Sequence, residues 1–322
     1  MPFYLTALMI LFGVEVIYLR IAGYCEAARV RPVGRSSHTS PTITGGGCIF
    51  AAAALAAVWM DPTRGMLLFG AGLSVAAAVS FVDDFRPLGV GVRLAAQLAC
   101  AALTLCAVPA LAGAPAWLWA AAAAGSVACL NAFNFMDGIN GITAAYSAVL
   151  LAALMFLNSV YGLADPRLPG LALCAVAAFG YFNFRRRAVC FAGDVGAISI
   201  AAVTLYLLAS LIAATGSVWW LVLVAVYGVD TSLTIVRRII RRENIFRAHR
   251  LHLYQYLANE CRVPQLAVAS AYAGVQLLID LGAWLLRAHP AAYFAAVAAV
   301  LCAAYLILMR RRRPGSRSDR AI

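Results

Sequence analysis

Apolar runs about as long as a lipid bilayer is thick recur along the whole sequence, and they restrict the fold more than any other feature. A bilayer core takes about 20 residues of helix. Eleven stretches approach that measure, roughly 3–23, 45–60, 66–82, 94–112, 114–133, 142–161, 169–184, 197–214, 217–236, 265–286 and 291–309. The count becomes ten if the stretch 94–133 divides differently. Hydrophobic residues make up 64% of the chain and charged ones 12%, with a mean hydropathy of +0.87, which excludes an ordinary soluble domain. The expected fold is all-α, a polytopic integral membrane bundle, because helices satisfy their own backbone groups in lipid. Residues 1–309 are expected to form a single transmembrane domain, and 310–322 a basic tail, disordered beyond a membrane-surface anchor.

All 25 basic side chains are Arg, and the formal net charge is +12. They concentrate in alternate connections: Arg29, Arg31 and Arg35; Arg86 and Arg93; Arg185 to Arg187; Arg237 to Arg250; and Arg310 to Arg313. The positive-inside rule places this set in the cytoplasm, with the N-terminus outside and the C-terminus inside. The charge therefore speaks to topology and anionic lipid, and no nucleic-acid partner is expected. The nine Cys are scattered through apolar runs with no C-x-x-C pair, so zinc and redox sites are not expected. The first run lacks a basic leader and a cleavage site, and reads as a retained helix.

Against this background the acids stand out. Phe81-Val-Asp83-Asp84-Phe85, Asn131-Ala-Phe-Asn134-Phe-Met-Asp137-Gly-Ile-Asn140-Gly141 and Phe191-Ala-Gly193-Asp194-Val-Gly196 each lie at the end of an apolar run. An acid at a membrane boundary is expensive unless a cation shares its site. All three clusters are expected on the cytoplasmic side. Asp83 and Asp84 repel each other unless a cation or shared proton intervenes, although an adjacent pair also suits a solvated helix end. Arg93 and Gln97, one turn apart, either orient phosphates or carboxylates, or Arg93 only follows the positive-inside rule. Asn131, Asn134 and Asp137 fall three apart, along one side of a helix end. Their oxygens are the hard donors that Mg²⁺ takes alongside phosphate and water, whereas a simple polar cap would not need so many. Asp194 between glycines allows a close backbone approach to a ligand, or only a turn. Asn183 lies just before Arg185 and belongs to the same rim.

Two further segments are polar. Phe246-Arg-Ala-His249-Arg250-Leu-His252-Leu-Tyr254-Gln255 reads as part of a basic helix over about 237–264, with His249 and His252 on one face. Cations facing acids suit a diphosphate; a lipid-surface helix would explain the arginines but not both histidines. Arg35-Ser-Ser-His38-Thr-Ser-Pro41-Thr42-Ile-Thr44-Gly45-Gly46-Gly47 leads into the second run, and is either an anion-holding helix start or a plain loop. Glu15, Asp230 and Asp280 fall within apolar runs, and the sequence assigns them no role.

Taken in order from about residue 29 to 256, these five motifs resemble the polyprenyl-phosphate N-acetylhexosamine-1-phosphate transferases. The resemblance implies a Mg²⁺-dependent enzyme, with Mn²⁺ able to substitute, of the bacterial inner membrane with its site facing the cytoplasm. It would transfer a sugar-1-phosphate from a UDP-N-acetylhexosamine to undecaprenyl phosphate and release UMP. It implies that Asn134 and Asp194 hold the metal, and that Asp83 or Asp84 deprotonates or positions the lipid phosphate. Asp137 and Asn140 would line the nucleotide–sugar pocket, and His249, Arg250 and His252 would grip phosphates. Arg35, His38, Thr42, Asn131 and Asn183 would complete the substrate-binding rim. A homodimer embedded in membrane lipid is compatible with the resemblance, and direct and two-step displacement both remain open.

The departures carry information. Asn140 stands where the peptidoglycan branch has Asp, and His-Arg-Leu-His replaces three consecutive histidines. Both favour the branch that primes O-antigen, capsule or related surface glycans over phospho-MurNAc-pentapeptide transfer. A CDP-alcohol phosphotransferase would need a second acid and an Ala-Arg that do not follow Asp137-Gly138. A cation-coupled transporter would place its acids near mid-membrane, not at one end.

Overall fold

The computed structural model describes residues 2–30, 41–111, 113–245 and 249–310. It is 80% helical. The helices are α1 (Pro2–Tyr24), α2 (Cys48–Met60), α3 (Arg64–Phe85), α4 (Val90–Cys106), α5 (Ala116–Met136), α6 (Ile142–Tyr161), α7 (Arg167–Asn183), α8 (Gly193–Thr215), α9 (Ala225–Ile240), α10 (Leu253–Gln255), α11 (Gln265–Leu285) and α12 (Pro290–Arg310). Each apolar run read from the sequence overlaps a helix, the run 217–236 only in its second half. Among the described residues eight helical segments are long and apolar enough to cross a membrane, while α2 and α4 are shorter apolar helices. The chain is thus a multi-pass membrane protein by length and composition.

Local chemistry sets the boundaries. The Thr63 hydroxyl caps α3 by accepting the Met66 N–H at 3.3 Å. Pro115, Pro166 and Pro264 occupy the caps of α5, α7 and α11, and Pro290 opens α12. The uncertain stretch 94–133 resolves into α4 and α5, separated by a short turn at Pro109–Leu111.

The bundle is organised around α8, of whose apolar stretch 83% is buried, against 17% for α1 and 11% for α12. It packs on α2, α3, α4, α5 and α6. Lipid offers no hydrophobic drive between helices, so close packing of small residues and interhelical hydrogen bonds must hold them. The span read as 217–236 is broken: a 3₁₀ segment Val218–Val224 precedes α9. Gln276 of α11 repairs the break. Its Oε1 accepts the Val226 N–H at 3.1 Å and the Tyr146 hydroxyl at 2.8 Å, and its Nε2 donates to the Val222 carbonyl at 3.1 Å. The same Nε2 donates to Asp280 at 2.7 Å, which gives that intramembrane acid a place in the packing.

The fold departs from the all-helical expectation in one small feature. Antiparallel strands β1 (Arg29–Val30) and β2 (Thr42–Ile43) form a short ribbon, and Ile43 bridges to Cys190. Glu15 of α1 is buried beneath it, 3.4 Å from the Cys190 thiol that donates to it. Because successive helices alternate in direction, the described parts of the connections, 25–30, 41–47, 86–89, 137–141, 184–192, 241–245 and 249–264, collect at one end of the bundle.

Candidate active site

The three acidic clusters meet at that end. Asp83 and Asp84 lie in the last turn of α3, Asp137 follows α5, and Asp194 lies in the first turn of α8. Adjacent residues on a helix point about 100° apart, and the two α3 carboxylates accordingly have different partners. Asp84 caps α8: its Oδ1 accepts the Asp194 N–H at 2.8 Å and the Thr44 hydroxyl at 3.3 Å, and its Oδ2 accepts the Val195 N–H at 3.1 Å. This satisfies orphan donors at a helix N-terminus and places a negative charge at the positive end of the dipole. The arrangement needs Gly193, which has φ +72° and would carry any Cβ to within 2.6 Å of Asp84 Oδ2.

Asp83 instead accepts the Leu88 N–H at 2.5 Å and pairs with Arg93 at 3.3 Å. The same Arg93 nitrogen lies 3.9 Å from Asp194 Oδ2. The side chains of Arg93 and Asp194 are 40% and 31% exposed, that of Asp83 only 8%, so the first two present their charge to the open space. Asn134 donates a side-chain hydrogen bond to Asp194. The Thr143 hydroxyl donates to Asp137. Burial raises the Asp137 carboxyl to about 6; the Thr143 hydroxyl and the Gly193 N–H oppose that rise, while the charge of Asp194 adds to it.

Arg93, Asn134, Asp137 and Asp194, with Asn131 and His252, line a cavity of about 530 Å³, while Asp83 sits behind Arg93, outside the lining. Asn131 is tied to Gln97, another wall residue: its Nδ2 donates to Gln97 Oε1 at 2.7 Å. His249 also lines the space, its ring stacked on that of His252 with centroids 4.9 Å apart, and Phe135 lies 6.3 and 6.1 Å from the two rings. The expected helical face is not what joins these histidines. α9 ends at Ile240, residues 249–251 are not helical, and His252 is the N-cap of the one-turn α10. Arg242, two residues past the end of α9, has a φ of +57°, which takes the backbone out of the helical region. Arg250, half-buried in the same segment, is held below the usual guanidinium range by burial, against the opposing charges of Glu260 and Tyr254.

Several expected binding residues are placed elsewhere. Asn140 is buried and donates to the carbonyls of Arg185 and Arg186 at 3.2 and 3.1 Å. Asn183 accepts the Gly141 N–H and donates to the Cys190 carbonyl, both at 2.9 Å. Both side chains pin connections together and do not line the cavity, because the loops around them leave backbone groups that need partners. Asp84, expected at the lipid phosphate, is a cap. Thr42 is buried in β2 opposite Val30, again outside the cavity wall. Arg35 and His38 lie outside the described residues. Asp230, left without a role by the sequence, accepts the N–H groups of Leu253 and Tyr254 at 2.9 and 3.3 Å, next to the cavity. The only sequence signal for it was an acid within an apolar run.

Among the described residues no three His, Cys, Asp or Glu side chains are arranged to enclose a metal. The donors that face the cavity are carboxylate and carboxamide oxygens, the chemistry of a Mg²⁺ ion that shares its sphere with phosphate and water. Asn134 and Asp194 fit that description as neighbours on one wall.

A comparison with protein families bears on the same segment. Residues 66–213 match the model of glycosyl transferase family 4. This is the family of polyprenyl-phosphate sugar-phosphate transferases. The matched stretch runs from α3 into α8 and contains Asp83, Asp84, Arg93, Asn131, Asn134, Asp137 and Asp194. His249 and His252 lie beyond it. A search of curated proteins finds no match.

Proposed function

We propose that the protein transfers an N-acetylhexosamine-1-phosphate from a UDP-sugar to undecaprenyl phosphate, releasing UMP, as the first membrane step of O-antigen, capsule or related surface-glycan synthesis. The observation that carries this reading is the meeting of Asp194, Asn134, Asp137 and Arg93 with His249 and His252 around one cavity at the ends of apolar helices. The likeness to glycosyl transferase family 4 supports the reaction class. The Arg-rich connections at the same end support a cytoplasm-facing site in the bacterial inner membrane.

Phosphoryl transfer asks its site chiefly for positioning and for neutralisation of developing charge. Asn134 and Asp194 would hold Mg²⁺, which when bound would offset the charge of the donor diphosphate. Arg93, partly exposed beside Asp83 and Asp194, binds the phosphate of the incoming lipid. Asp83, hydrogen-bonded to Arg93, positions that phosphate and accepts its proton. His249 and His252, which line the cavity, grip the donor phosphates together with Arg250 of the same segment, and Asp137 faces the nucleotide–sugar. A membrane-embedded acceptor explains why the polar cavity opens at the ends of apolar helices.

The test uses purified protein in detergent with Mg²⁺, undecaprenyl phosphate and a panel of UDP-N-acetylhexosamines, with UMP release as the readout. UMP is expected with one donor only, and none with EDTA or without the lipid. Asp194→Asn is expected to lower the rate by about 10²-fold or more while the protein remains in the membrane fraction. UMP formation that ignores both the lipid and EDTA would overturn the reading.

A further inference from the structure

Asp230 is the intramembrane acid with the fullest set of partners. It lies on α9, and its carboxylate is 3% exposed. Oδ1 accepts the Leu253 N–H at 2.9 Å and the Thr234 hydroxyl at 3.2 Å. Oδ2 accepts the Tyr272 hydroxyl at 2.7 Å and the Tyr254 N–H at 3.3 Å. Such a carboxylate is expensive to bury, and three helices contribute to its compensation. What it holds is the start of α10, the turn whose cap is His252.

His252 is the fifth partner. Its Nδ1 lies 3.4 Å from Asp230 Oδ1, and its ring is 2% exposed yet forms part of the cavity wall. The geometry of imidazole then turns Nε2 away from Asp230. Both ring nitrogens are buried and neither makes a well-formed hydrogen bond among the described residues, so Nδ1 meets Asp230 as a close charge contact and Nε2 is left without a partner. An imidazole with one nitrogen 3.4 Å from a carboxylate and the other unpartnered at a cavity is set for a ligand, because the negative charge favours the proton on the nearer nitrogen.

We propose that Asp230 is a positioning residue that holds His252 with Nδ1–H toward its carboxylate and Nε2 toward the donor phosphates. The proposal rests on the sugar-phosphate transfer reading for the identity of that ligand. Asp230 touches no substrate; it acts through His252. Tyr272 contributes from α11 by fixing the Asp230 oxygen that does not face the imidazole. The sequence segment 249–255 is too short to hold itself in place, and Asp230 supplies the anchor.

The test combines a double-mutant cycle with a spectroscopic readout on the full chain in detergent. Asp230→Asn keeps an oxygen that accepts the Leu253 N–H but loses the charge facing the imidazole. It is expected to lower kcat for UMP release about 10-fold or more, with the KM for undecaprenyl phosphate unchanged. In the His252→Ala background the same substitution is expected to add nothing, since both changes remove one unit. Side-chain ¹⁵N signals of the histidines, assigned with His252→Ala, are expected to show a protonated Nδ1 at His252 in the parent and a changed tautomer in Asp230→Asn. Multiplying effects in the cycle, or an unchanged His252 signal in Asp230→Asn, would overturn the proposal. If Asp230→Asn does not fold, Tyr272→Phe, which removes one hydroxyl from the same carboxylate, takes its place in both measurements. A parent protein with no transferase activity would remove the functional reading alone, because the ¹⁵N signals still decide whether Asp230 orients His252.

Discussion

Asp84 and Asp194 are joined through backbone and not through their carboxylates: Asp84 Oδ1 accepts the Asp194 N–H at 2.8 Å, and Oδ2 accepts the next N–H along. The acid nearest Asp83 in sequence thus acts as the support on which the cavity-facing Asp194 is mounted. Asp84→Ala is expected to lose about 1–2 kcal/mol through the missing cap. It should also slow UMP release, since the first turn of α8 loses its fixed position. Thermal unfolding in detergent reads the first effect, and an unfolding temperature equal to the parent's would show that the cap contributes nothing.

Gly193→Ala tests the same junction from the other side. The new methyl would meet Asp84 at 2.6 Å, at a φ of +72° that L-residues avoid. A loss of about 1–3 kcal/mol is expected, together with activity. Full activity in this variant would mean that the α3–α8 contact tolerates widening.

The Asp137 carboxyl supplies a pH signature. Its folded value of about 6 lies above the ordinary 3.8, and burial is the main cause. A carboxyl that binds its proton more tightly when folded stabilises the fold most at low pH, fully so below about pH 4, and that contribution is lost as pH rises through about 6. In Mg²⁺-free detergent the unfolding temperature of the parent should therefore fall over this window relative to Asp137→Asn. The opposite slope would mean that a cation holds Asp137 ionised.

Asn183→Ala removes one acceptor and one donor that bind the connections on either side of the site. Each orphaned buried group costs about 1–3 kcal/mol. The expected result is a marked fall in unfolding temperature with little change in KM for the UDP-sugar among the molecules that remain folded. A large KM change with parental stability would return Asn183 to the substrate rim.

The helices were legible because bilayer-length apolar runs leave few alternatives, and Asn131, Asn134 and Asp194 were legible because polar residues at the ends of such runs demand an explanation. What stayed hidden has a common cause. Asp84, Asn140 and Asn183 serve backbone N–H and C=O groups, which every residue carries and no side-chain pattern reveals. From sequence they are indistinguishable from ligand-binding residues, since the oxygens that bind phosphate-bound metals also cap helices. The histidine segment was misread as helical because its i, i+3 spacing fits a helix face, although its approach to the cavity is set by Asp230, more than a dozen residues earlier. Asp230 itself had only its unusual location to mark it.

The meeting of α2 and α8 has a mechanical consequence. A Cβ on Gly47 would lie against the Gly196 backbone, while the Gly46 and Gly47 N–H groups each donate at 3.0 Å to the carbonyls of Phe191 and Ala192. With no side chain between them to act as a cushion, the two chain segments behave as one plate. Any ligand that shifts residues 44–47 by a fraction of an ångström shifts the first turn of α8 with them, so this junction is a lever whose far arm carries Asp194.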